Sequence, residues 1–335
     1  MAKQNTATVN LRTIRKNAEE IRRQSGTRLF SVVKANAYGH GAEEVANALH
    51  DLSDGFCVAL LEEGVALRYA GIAKPILLLS PVETVREAED ALAANLTLTV
   101  ESTDDLRLIA CAAKRRELFA NLQLKAETGM NRFGLPVEKL REVFDFCHNA
   151  PLFSVTGAYS HFADCADEAF TKEQYERFLP FASAVRKFAP QAVCHIGATG
   201  ALGYGRRFAM DGMRVGLGLY GYGAEGVSPA MEIFAPVLKT GTAHPGERLG
   251  YGGAKDLHCN FRLIRCGYAD GFFRCDREAL VPRLMDVSYL AGSEGEPVEL
   301  LGRRRTAEII AKEAGTIPYE VLVNVSRRCQ LVYKR

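Results

Sequence analysis

The chain has 335 residues, of which 47% are hydrophobic and 24% are charged. This composition excludes a disordered or fibrous protein, and the length allows a large core together with a second domain. The net charge is +2, and no basic run is interleaved with aromatic residues, so a nucleic-acid partner is not expected and a small molecule is the favoured ligand.

The first residues are polar, and no stretch approaches the roughly 18 apolar residues of a membrane-spanning helix. We therefore expect a cytoplasmic protein with no membrane partner. Nine cysteines are scattered as single residues without a C-x-x-C pair, which argues against a disulfide framework and a thiolate zinc site. Cys194 and His195 are adjacent, but adjacent strand residues point to opposite faces, so no metal is expected.

Short apolar runs rich in β-formers recur along the first two thirds of the chain, and several are followed by helical patterns. This alternation is typical of βα units around a parallel sheet. Eight runs indicate an α/β fold, a (β/α)8 TIM-like barrel. The predicted strands cover residues 29–34, 55–60, 75–80, 96–101, 121–127, 153–160, 192–197 and 212–220.

Two helical stripes are clear between these runs. Residues 42, 45, 46 and 49 follow an i, i+3, i+4, i+7 pattern and predict an amphipathic helix after the first run. A second stripe over residues 175–188 contains Pro180, which we expect to kink or interrupt that helix.

The pattern changes after about Gly226, where short strand-like runs broken by Gly and Pro replace the helical periodicity. Only Thr306 to Glu313 looks helical in this last third. We therefore predict a barrel domain over residues 8–226 and a smaller, mainly β C-terminal domain over residues 227–335.

Polar residues close several of the predicted barrel strands, at the end where barrel enzymes carry their chemistry. They are Lys34, Lys125, Glu127, His161 and His195, and Arg214 lies within the eighth run. A lysine in this position is more often a surface residue, but Lys34 precedes a glycine-containing turn that opens a helix. Desolvation at such a barrel mouth lowers the pKa of an amine and suits it to Schiff-base chemistry.

The run SVVKANAYGHG at 31–41 resembles the cofactor-lysine signature of alanine racemases. Further matches follow in the same order, and the resemblance covers essentially the whole chain. They are KAETGMNR at 125–132, SHFA at 160–163, RVG at 214–216, LGYG at 249–252, GYADG at 267–271, MD at 285–286 and TIPYE at 316–320.

This resemblance implies a pyridoxal 5′-phosphate (PLP) enzyme that interconverts L- and D-alanine through an external aldimine, supplying D-alanine for cell-wall synthesis. Lys34 and Tyr251 would be the two acid/base groups on opposite faces of the substrate, and Lys34 would also bind the cofactor. Arg214 would face the pyridine nitrogen, with His161 as its neighbour. The groups implied for the cofactor phosphate are Tyr38, Thr199, the backbone amides of Gly216 and Leu217, and Tyr319.

The resemblance also implies that Arg132 and Met285 bind the substrate carboxylate. Lys125, together with Arg132, would organise the substrate carboxylate and Tyr251, and it could be carbamylated, since that family position often is. A homodimer with shared active sites is implied as well. The segment GLGLYG at 216–221 fits G-x-G-x-x-G, but it does not follow the first strand or open a βαβ unit, so we do not expect NAD binding.

Two departures from the family pattern bear on the substrate. Ala198-Thr199 stands where Asn-Ser is common, and Leu284 replaces a usual Cys before Met285. Racemisation of serine or another small amino acid therefore stays open, as does a catalytically weak PLP-binding or sensory relative. A related decarboxylase is disfavoured by the LGYG and GYADG motifs.

Overall fold

The structure, a computed structural model, describes residues 5–251, 258–272, 284–293 and 295–335. The chain forms two compact units. The first, here called the barrel unit, comprises Ile14–Ala37 and Ala42–Val227; the second, here called the β unit, comprises Met1–Thr13, Tyr38–Gly41 and Ser228–Arg335. These two units differ from a division into residues 8–226 and 227–335. Two short segments from the N-terminal part of the chain, Met1–Thr13 and Tyr38–Gly41, belong to the β unit.

The strands lie in chain order at β1 (Thr6–Asn10), β2 (Arg28–Val32), β3 (Gly55–Val58), β4 (Ile76–Leu78), β5 (Thr97–Val100), β6 (Ala120–Lys125), β7 (Phe153–Tyr159), β8 (Val193–His195), β9 (Gly212–Val215), β10 (Met231–Ala235), β11 (Val237–Ala243), β12 (Cys259–Ile264), β13 (Ser288–Ala291), β14 (Val298–Leu301) and β15 (Gln330–Lys334). The helices are α1 (Leu11–Ser25), α2 (Lys34–Tyr38), α3 (Ala42–Ala48), α4 (Leu61–Tyr69), α5 (Val85–Ala93), α6 (Thr103–Arg116), α7 (Leu140–His148), α8 (Glu168–Phe188), α9 (Ala307–Ala314) and α10 (Pro318–Val325). Short 3-10 turns are η1 (Val137–Lys139), η2 (Thr199–Tyr204), η3 (Leu217–Tyr220) and η4 (Tyr268–Asp270).

Strands β2 to β9 close into a parallel barrel in chain order, with β9 pairing β2. A strand is found in each of the eight predicted runs, and the (β/α)8 fold is confirmed. The eighth strand is shorter than predicted, since it ends at Val215 and residues 217–220 form a 3-10 turn. The runs were recognisable because parallel barrel strands are covered on both faces, which makes them short continuous apolar segments. Strand β3 is an example, since each of its four residues is buried.

The helix Lys34–Tyr38 is a single left-handed turn. Its three central residues have φ between 51° and 53° and ψ of 48°, a conformation that costs ~1–2 kcal/mol for each non-glycine residue. Side chains hold the turn: the Asn36 Oδ1 accepts the N–H of Ala42 at 2.9 Å, and the Glu63 carboxylate accepts the N–H of Ala35 at 2.6 Å. This strained segment fixes the backbone that carries Lys34.

The two predicted helical stripes have different outcomes. Helix α3 buries Val45 and Ala46, and Leu49 just beyond it is also fully buried, as predicted. The interruption expected at Pro180 is wrong, because α8 continues through it as one helix of 21 residues. Pro180 lies on the exposed side of α8. Water can therefore satisfy the carbonyl that loses its N–H partner.

The β unit contains two sheets, with strand orders β14-β10-β1-β15 and β11-β12-β13. The N-terminal strand β1 pairs antiparallel with β10 and parallel with β15. The predicted helix after Thr306 is confirmed as α9, with the Thr306 hydroxyl accepting the N–H of Ile309. The expectation that no other helix follows is wrong: α10 begins with Pro318 in its first turn, where the missing N–H costs nothing.

None of the helices in the described part of the chain combines the length and apolar character that crossing a membrane requires. The cytoplasmic location stays a prediction.

Candidate active site

The carboxyl ends of the barrel strands carry a group of basic and aromatic side chains. Lys34 follows β2, Lys125 ends β6, His161 follows β7, and His195 ends β8. Because parallel strands of a closed barrel end at one mouth, these side chains converge there. The pKa of His161 reflects the proximity of these side chains. Burial lowers it well below its ordinary value, and the nearby Arg214, together with the other cations of the group, lowers it further.

Lys34 is positioned by the strand before it. The buried Tyr220 hydroxyl donates to the carbonyl of Val32 at 2.9 Å, and the N–H of Val33 donates to the carbonyl of Cys57 at 3.0 Å. Burial lowers the pKa of the Lys34 amine, and the positive charge of Arg132 lowers it further. A larger fraction of the amine is therefore neutral and nucleophilic than in an exposed lysine.

Arg214 is the most buried cation of the group, with 4% of its surface exposed. Its Nη1 donates to the Nδ1 of His195 at 2.6 Å, and its Nη2 donates to the Ser160 carbonyl and, at 3.2 Å, to the Nδ1 of His161. The guanidinium carbon lies 4.9 Å from the centre of the Tyr159 ring. No carboxylate among the described residues forms an ion pair with it, so its charge is held by neutral acceptors and an aromatic face.

The Arg214 contact determines the protonation state of His195. A guanidinium has no acceptor, so the Nδ1 of His195 must accept and the ring must be neutral with its proton on Nε2. That Nε2 lies 2.8 Å from the Oε1 of Gln123, which completes a buried chain from Gln123 through His195 to Arg214. Burial lowers the pKa of His195, and Arg214 lowers it further, in agreement with a neutral ring.

Sequence reasoning placed His195 at a strand end without a role and missed Gln123 entirely. The available signal was a polar Gln in the otherwise apolar centre of the strand NLQLK. The carboxamide has room because Gly157 lies beside it: a Cβ at Gly157 would come within 3.2 Å of the Gln123 side chain and 2.4 Å of the Val193 carbonyl.

Lys125 is also buried, with 5% of its surface exposed. Its Nζ donates to the carbonyl of Arg132 at 2.9 Å and lies 5.0 Å from the centre of the Phe133 ring. Burial lowers its pKa to about 8, and the charges of Arg132 and Arg214 contribute in the same direction. Lys125 is thus a basic group poised near neutral pH, close to Arg132.

The predicted phosphate residues of the barrel unit lie together. The buried Thr199 hydroxyl accepts the N–H of Gly218 at 3.2 Å, and Gly216 and Leu217 form the beginning of η3 beside it. A Cβ at Gly218 would lie 3.3 Å from the Thr199 methyl group, so the backbone approaches the threonine closely. The arrangement presents a hydroxyl and consecutive backbone N–H groups, the donors that suit a phosphate.

The β unit carries the remaining predicted site residues. Tyr38 and Tyr319 are neighbours, with ring centres 5.8 Å apart. Tyr251 is 87% exposed. Its segment is anchored by Leu249, which packs in a small apolar cluster with Ala243, Phe261 and Tyr289. Gly252 of the LGYG motif lies outside the described residues.

The GYADG motif supports the segment that contains Met285. The N–H groups of Tyr268 and Ala269 donate to the carbonyls of Leu284 and Met285, at 3.1 and 3.0 Å. A Cβ at Gly267 would lie 2.1 Å from the Met285 carbonyl oxygen, so only glycine fits there. The Met285 side chain is 54% exposed.

Comparison with known proteins gives the same family over both units. A family model described as alanine racemase, N-terminal domain, matches residues 9–224, and one described as alanine racemase, C-terminal domain, matches residues 230–333. The chain belongs to the alanine racemase family. It is therefore an isomerase, and members of this family depend in general on PLP.

Individual relatives resemble the chain over nearly its full length. The alanine racemase of Thermodesulfovibrio yellowstonii is 31% identical, and the match covers 98% of this chain and 97% of that protein. The biosynthetic alanine racemase of Pseudomonas aeruginosa is 33% identical, covering 96% of this chain and 97% of its own. The solved structure of the Clostridium difficile alanine racemase superposes with a TM-score of 0.92 at 27% identity, covering all of this chain and 96% of its own.

Proposed function

We propose that the chain is a PLP-dependent alanine racemase that interconverts L- and D-alanine and supplies D-alanine for cell-wall synthesis. The observation that carries the proposal is the barrel mouth, where an amine of lowered pKa, Lys34, accompanies a buried guanidinium, Arg214, that no described carboxylate neutralises. The test is an assay of the purified protein with PLP against single-enantiomer amino acids, read by chiral chromatography. Alanine should be the fastest substrate, and a Lys34→Ala variant should be inactive.

The described residues fit the cofactor. Lys34 offers an amine for its aldehyde, and Arg214 offers a cation for its ring nitrogen. Its phosphate would be held by the Thr199 hydroxyl, by the backbone N–H groups of Gly216 and Leu217, and by the hydroxyls of Tyr38 and Tyr319. When bound, PLP supplies a π-system that accepts the electron pair left on the substrate Cα as its proton departs.

Racemisation needs one proton-transfer group on each face of the substrate Cα. We assign these roles to Lys34 and Tyr251. One of them takes the Cα proton as the C–H bond breaks, and the other delivers a proton to the opposite face as a new C–H bond forms. Each turnover leaves one group with an added proton and the other with one fewer, and turnover of the other enantiomer or proton exchange with solvent restores the pair.

Arg214 limits the charge that enters the cofactor ring. A guanidinium beside the ring nitrogen opposes its protonation, because a second positive charge there would be repelled. The contacts to His195, His161 and the Ser160 carbonyl hold the cation in place. This restraint favours return of the proton to Cα over transfer elsewhere, which suits a racemase better than a transaminase.

Arg132 and Met285 are assigned to the substrate carboxylate, and Lys125 to the support of Arg132. With a pKa of about 8, about one fifth of the Lys125 amine is neutral at pH 7.4, against about one thousandth for an ordinary lysine. A neutral amine can add to carbon dioxide, forming an N–C bond and releasing a proton. The resulting carbamate anion would be attracted by Arg132. ¹³C NMR with ¹³C-bicarbonate should show a carbamate signal that Lys125→Gln removes.

We also propose a homodimer in which each site takes Lys34 from one chain and Tyr251 from the other. The 87% exposure of Tyr251 in the β unit is consistent with a residue that completes a neighbour's site. Mixing inactive Lys34→Ala with inactive Tyr251→Phe under subunit exchange should restore activity, since one site of each mixed dimer is then intact. A verified mixed dimer that stays inactive would refute the shared site.

A racemase of serine or another small amino acid is the second candidate. It is favoured by Leu284, which stands at the family's usual Cys position and whose side chain would lie 3.3 Å from a Cβ at Gly250, beside Tyr251. Ala198 likewise lacks the amide common at its position. The single-enantiomer panel distinguishes the candidates, and turnover of none of the amino acids would indicate a PLP-binding or sensory relative.

A further inference from the structure

The barrel unit has a second cavity, at the end opposite to Lys34. It measures about 420 Å³ and lies where the strands begin, since Arg28 is the first residue of β2 and Val193 the first of β8. None of the residues assigned to catalysis or to the cofactor lines it. Its polar lining includes Arg28, Asp54, Arg68, Asn121, Gln123 and Thr156.

The charge of this cavity is positive. Arg68 donates to four backbone carbonyls, those of residues 72, 74, 94 and 95, and forms no ion pair with a described carboxylate. Four bonds leave one of its five N–H groups for another acceptor. Arg28 is exposed and forms no ion pair within the described part of the chain. Carbonyl dipoles do not cancel a full charge, so both guanidinium groups favour an anion in the space beside them.

The one carboxylate among the lining residues is already engaged. Asp54 accepts from the Nη1 of Arg22 at 2.8 Å and from the N–H of Leu29 at 2.8 Å. Its charge is balanced by Arg22, outside the lining, so the charges of Arg28 and Arg68 are not neutralised by it. Asp54 does limit how much negative charge the cavity accepts, because a multiply charged anion would be repelled by it.

Neutral donors complete the lining. The Oε1 of Gln123 accepts from His195, which leaves the Gln123 Nε2 to donate, and no described residue accepts from it. The Asn121 amide likewise has no hydrogen-bond partner in the described part of the chain, so it can donate to a ligand. Guanidinium and amide N–H groups together match the two oxygens of a carboxylate.

We propose that this cavity is a second binding site, which takes a small organic anion carrying a single carboxylate. The volume is sufficient for an acid of a few carbon atoms, and the lining combines the amides of Gln123 and Asn121 with Arg28 and Arg68. The site does not depend on the proposed racemase activity, because none of the residues assigned to catalysis or to the cofactor lines it. Gln123 is common to both regions, since its Oε1 accepts from His195, and the variants that test the cavity therefore lie at Arg28 and Asn121.

The experiment measures binding of propionate to the full-length protein by ligand-observed NMR, with inorganic phosphate as the comparison. We expect saturable propionate binding that Arg28→Gln weakens by about tenfold, the effect of losing ~1.4 kcal/mol of charge-assisted contact. Asn121→Leu, which places an apolar side chain in the cavity, should abolish the binding component that Arg28→Gln weakens, and propionate held at the substrate carboxylate site of Arg132 and Met285 should remain. Arg107→Gln is the matched control, since Arg107 is an exposed arginine paired with Asp104 elsewhere on the surface, and it should leave the affinity unchanged.

The result is decisive in either direction. Propionate binding that neither Arg28→Gln nor Asn121→Leu alters would place the anion elsewhere, at the catalytic mouth for example, and would overturn the proposal. Phosphate binding more tightly than propionate, with the same sensitivity to both variants, would overturn the assignment to a single carboxylate. Circular dichroism and urea unfolding of each variant verify that the fold is retained.

Discussion

Replacing Lys125 with Met should stabilise the protein at neutral pH, because the wild-type chain buries a cation there. Burial, together with the charges of Arg132 and Arg214, lowers the pKa of Lys125 from 10.5 to about 8. At 1.36 kcal/mol per pKa unit this lowering corresponds to about 3 kcal/mol of unfavourable burial and charge repulsion. The lost hydrogen bond to the Arg132 carbonyl offsets about 1 kcal/mol, so we expect a net gain of about 2 kcal/mol at pH 7.

The sign of the pH dependence follows from linkage. Below pH 8 the amine is protonated in both folded and unfolded chains, so the full penalty of burial applies. Between pH 8 and about 10.5 the unfolded chain binds more protons than the folded one, and the stability of the wild-type protein rises with pH. The advantage of Lys125→Met should therefore shrink above pH 8 and reverse near pH 10.

The assay is urea unfolding of both proteins at pH 7 and pH 9.5, followed by circular dichroism in buffers free of carbon dioxide. Lys139→Met is the control, because Lys139 is exposed and its pairing with Glu142 is a surface contact worth little. The difference in the free energy of unfolding between wild type and Lys125→Met should therefore change between the two pH values. The same difference at pH 7 and pH 9.5 would refute the reasoning, because it would mean that the amine is solvated and keeps an ordinary pKa.

Four further predictions concern the residues that we assign to catalysis and the buried histidines with their partners. Lys34→Ala should abolish racemisation and covalent cofactor attachment together, and borohydride trapping with peptide mapping would contradict this by finding the label on another lysine. Tyr251→Phe should retain the cofactor but exchange the Cα hydrogen of the two enantiomers with deuterated solvent at unequal rates; equal rates would remove Tyr251 from its role. Gln123→Leu should lower the free energy of unfolding by about 1–3 kcal/mol, because it leaves the Nε2–H of His195 unpaired, and an unchanged urea midpoint would argue against that hydrogen bond. The folded-state pKa values of His161 and His195 are lowered, so stability should be lost as pH falls below about 6.5, where the unfolded chain takes up protons that the folded one does not; urea unfolding at pH 7.5 and 5.5 would contradict this if the stability did not change.

The barrel was predictable from the sequence because its determinants are local. A parallel strand covered on both faces is apolar along its length and is bounded by turn residues, so eight such segments were visible without knowledge of their partners. The pairing of β1 with β10 and β15 was not visible. It joins residues more than 220 positions apart, and no local pattern distinguishes such a strand from a barrel strand.

The residues of the candidate site likewise include some that the local sequence reveals and some that it does not. Gln123 escaped prediction because its role depends on His195, 72 residues away, and on the room left by Gly157. A glutamine in a strand can have many roles, and only its tertiary contact, here the hydrogen bond with His195, shows which role it has. Lys34 was recognised because it follows a predicted strand and because the run SVVKANAYGHG around it resembles the cofactor-lysine signature of alanine racemases.

The segment SVVKANAYGHG is recognisable because its backbone conformation and contacts restrict which residues fit at several of its positions. Ser31 bonds to the Ser53 hydroxyl at 2.6 Å, and Asn36 caps the next helix. Gly39 and Gly41 have φ of 81° and 92°, and a Cβ at Gly39 would lie 2.7 Å from a backbone carbonyl, so side chains are excluded there. Before these glycines, a left-handed turn of non-glycine residues is maintained against a cost of ~1–2 kcal/mol per residue. Strain of this kind persists only where surrounding contacts determine the geometry, and here it fixes the backbone of the residue that we assign to cofactor binding and proton transfer.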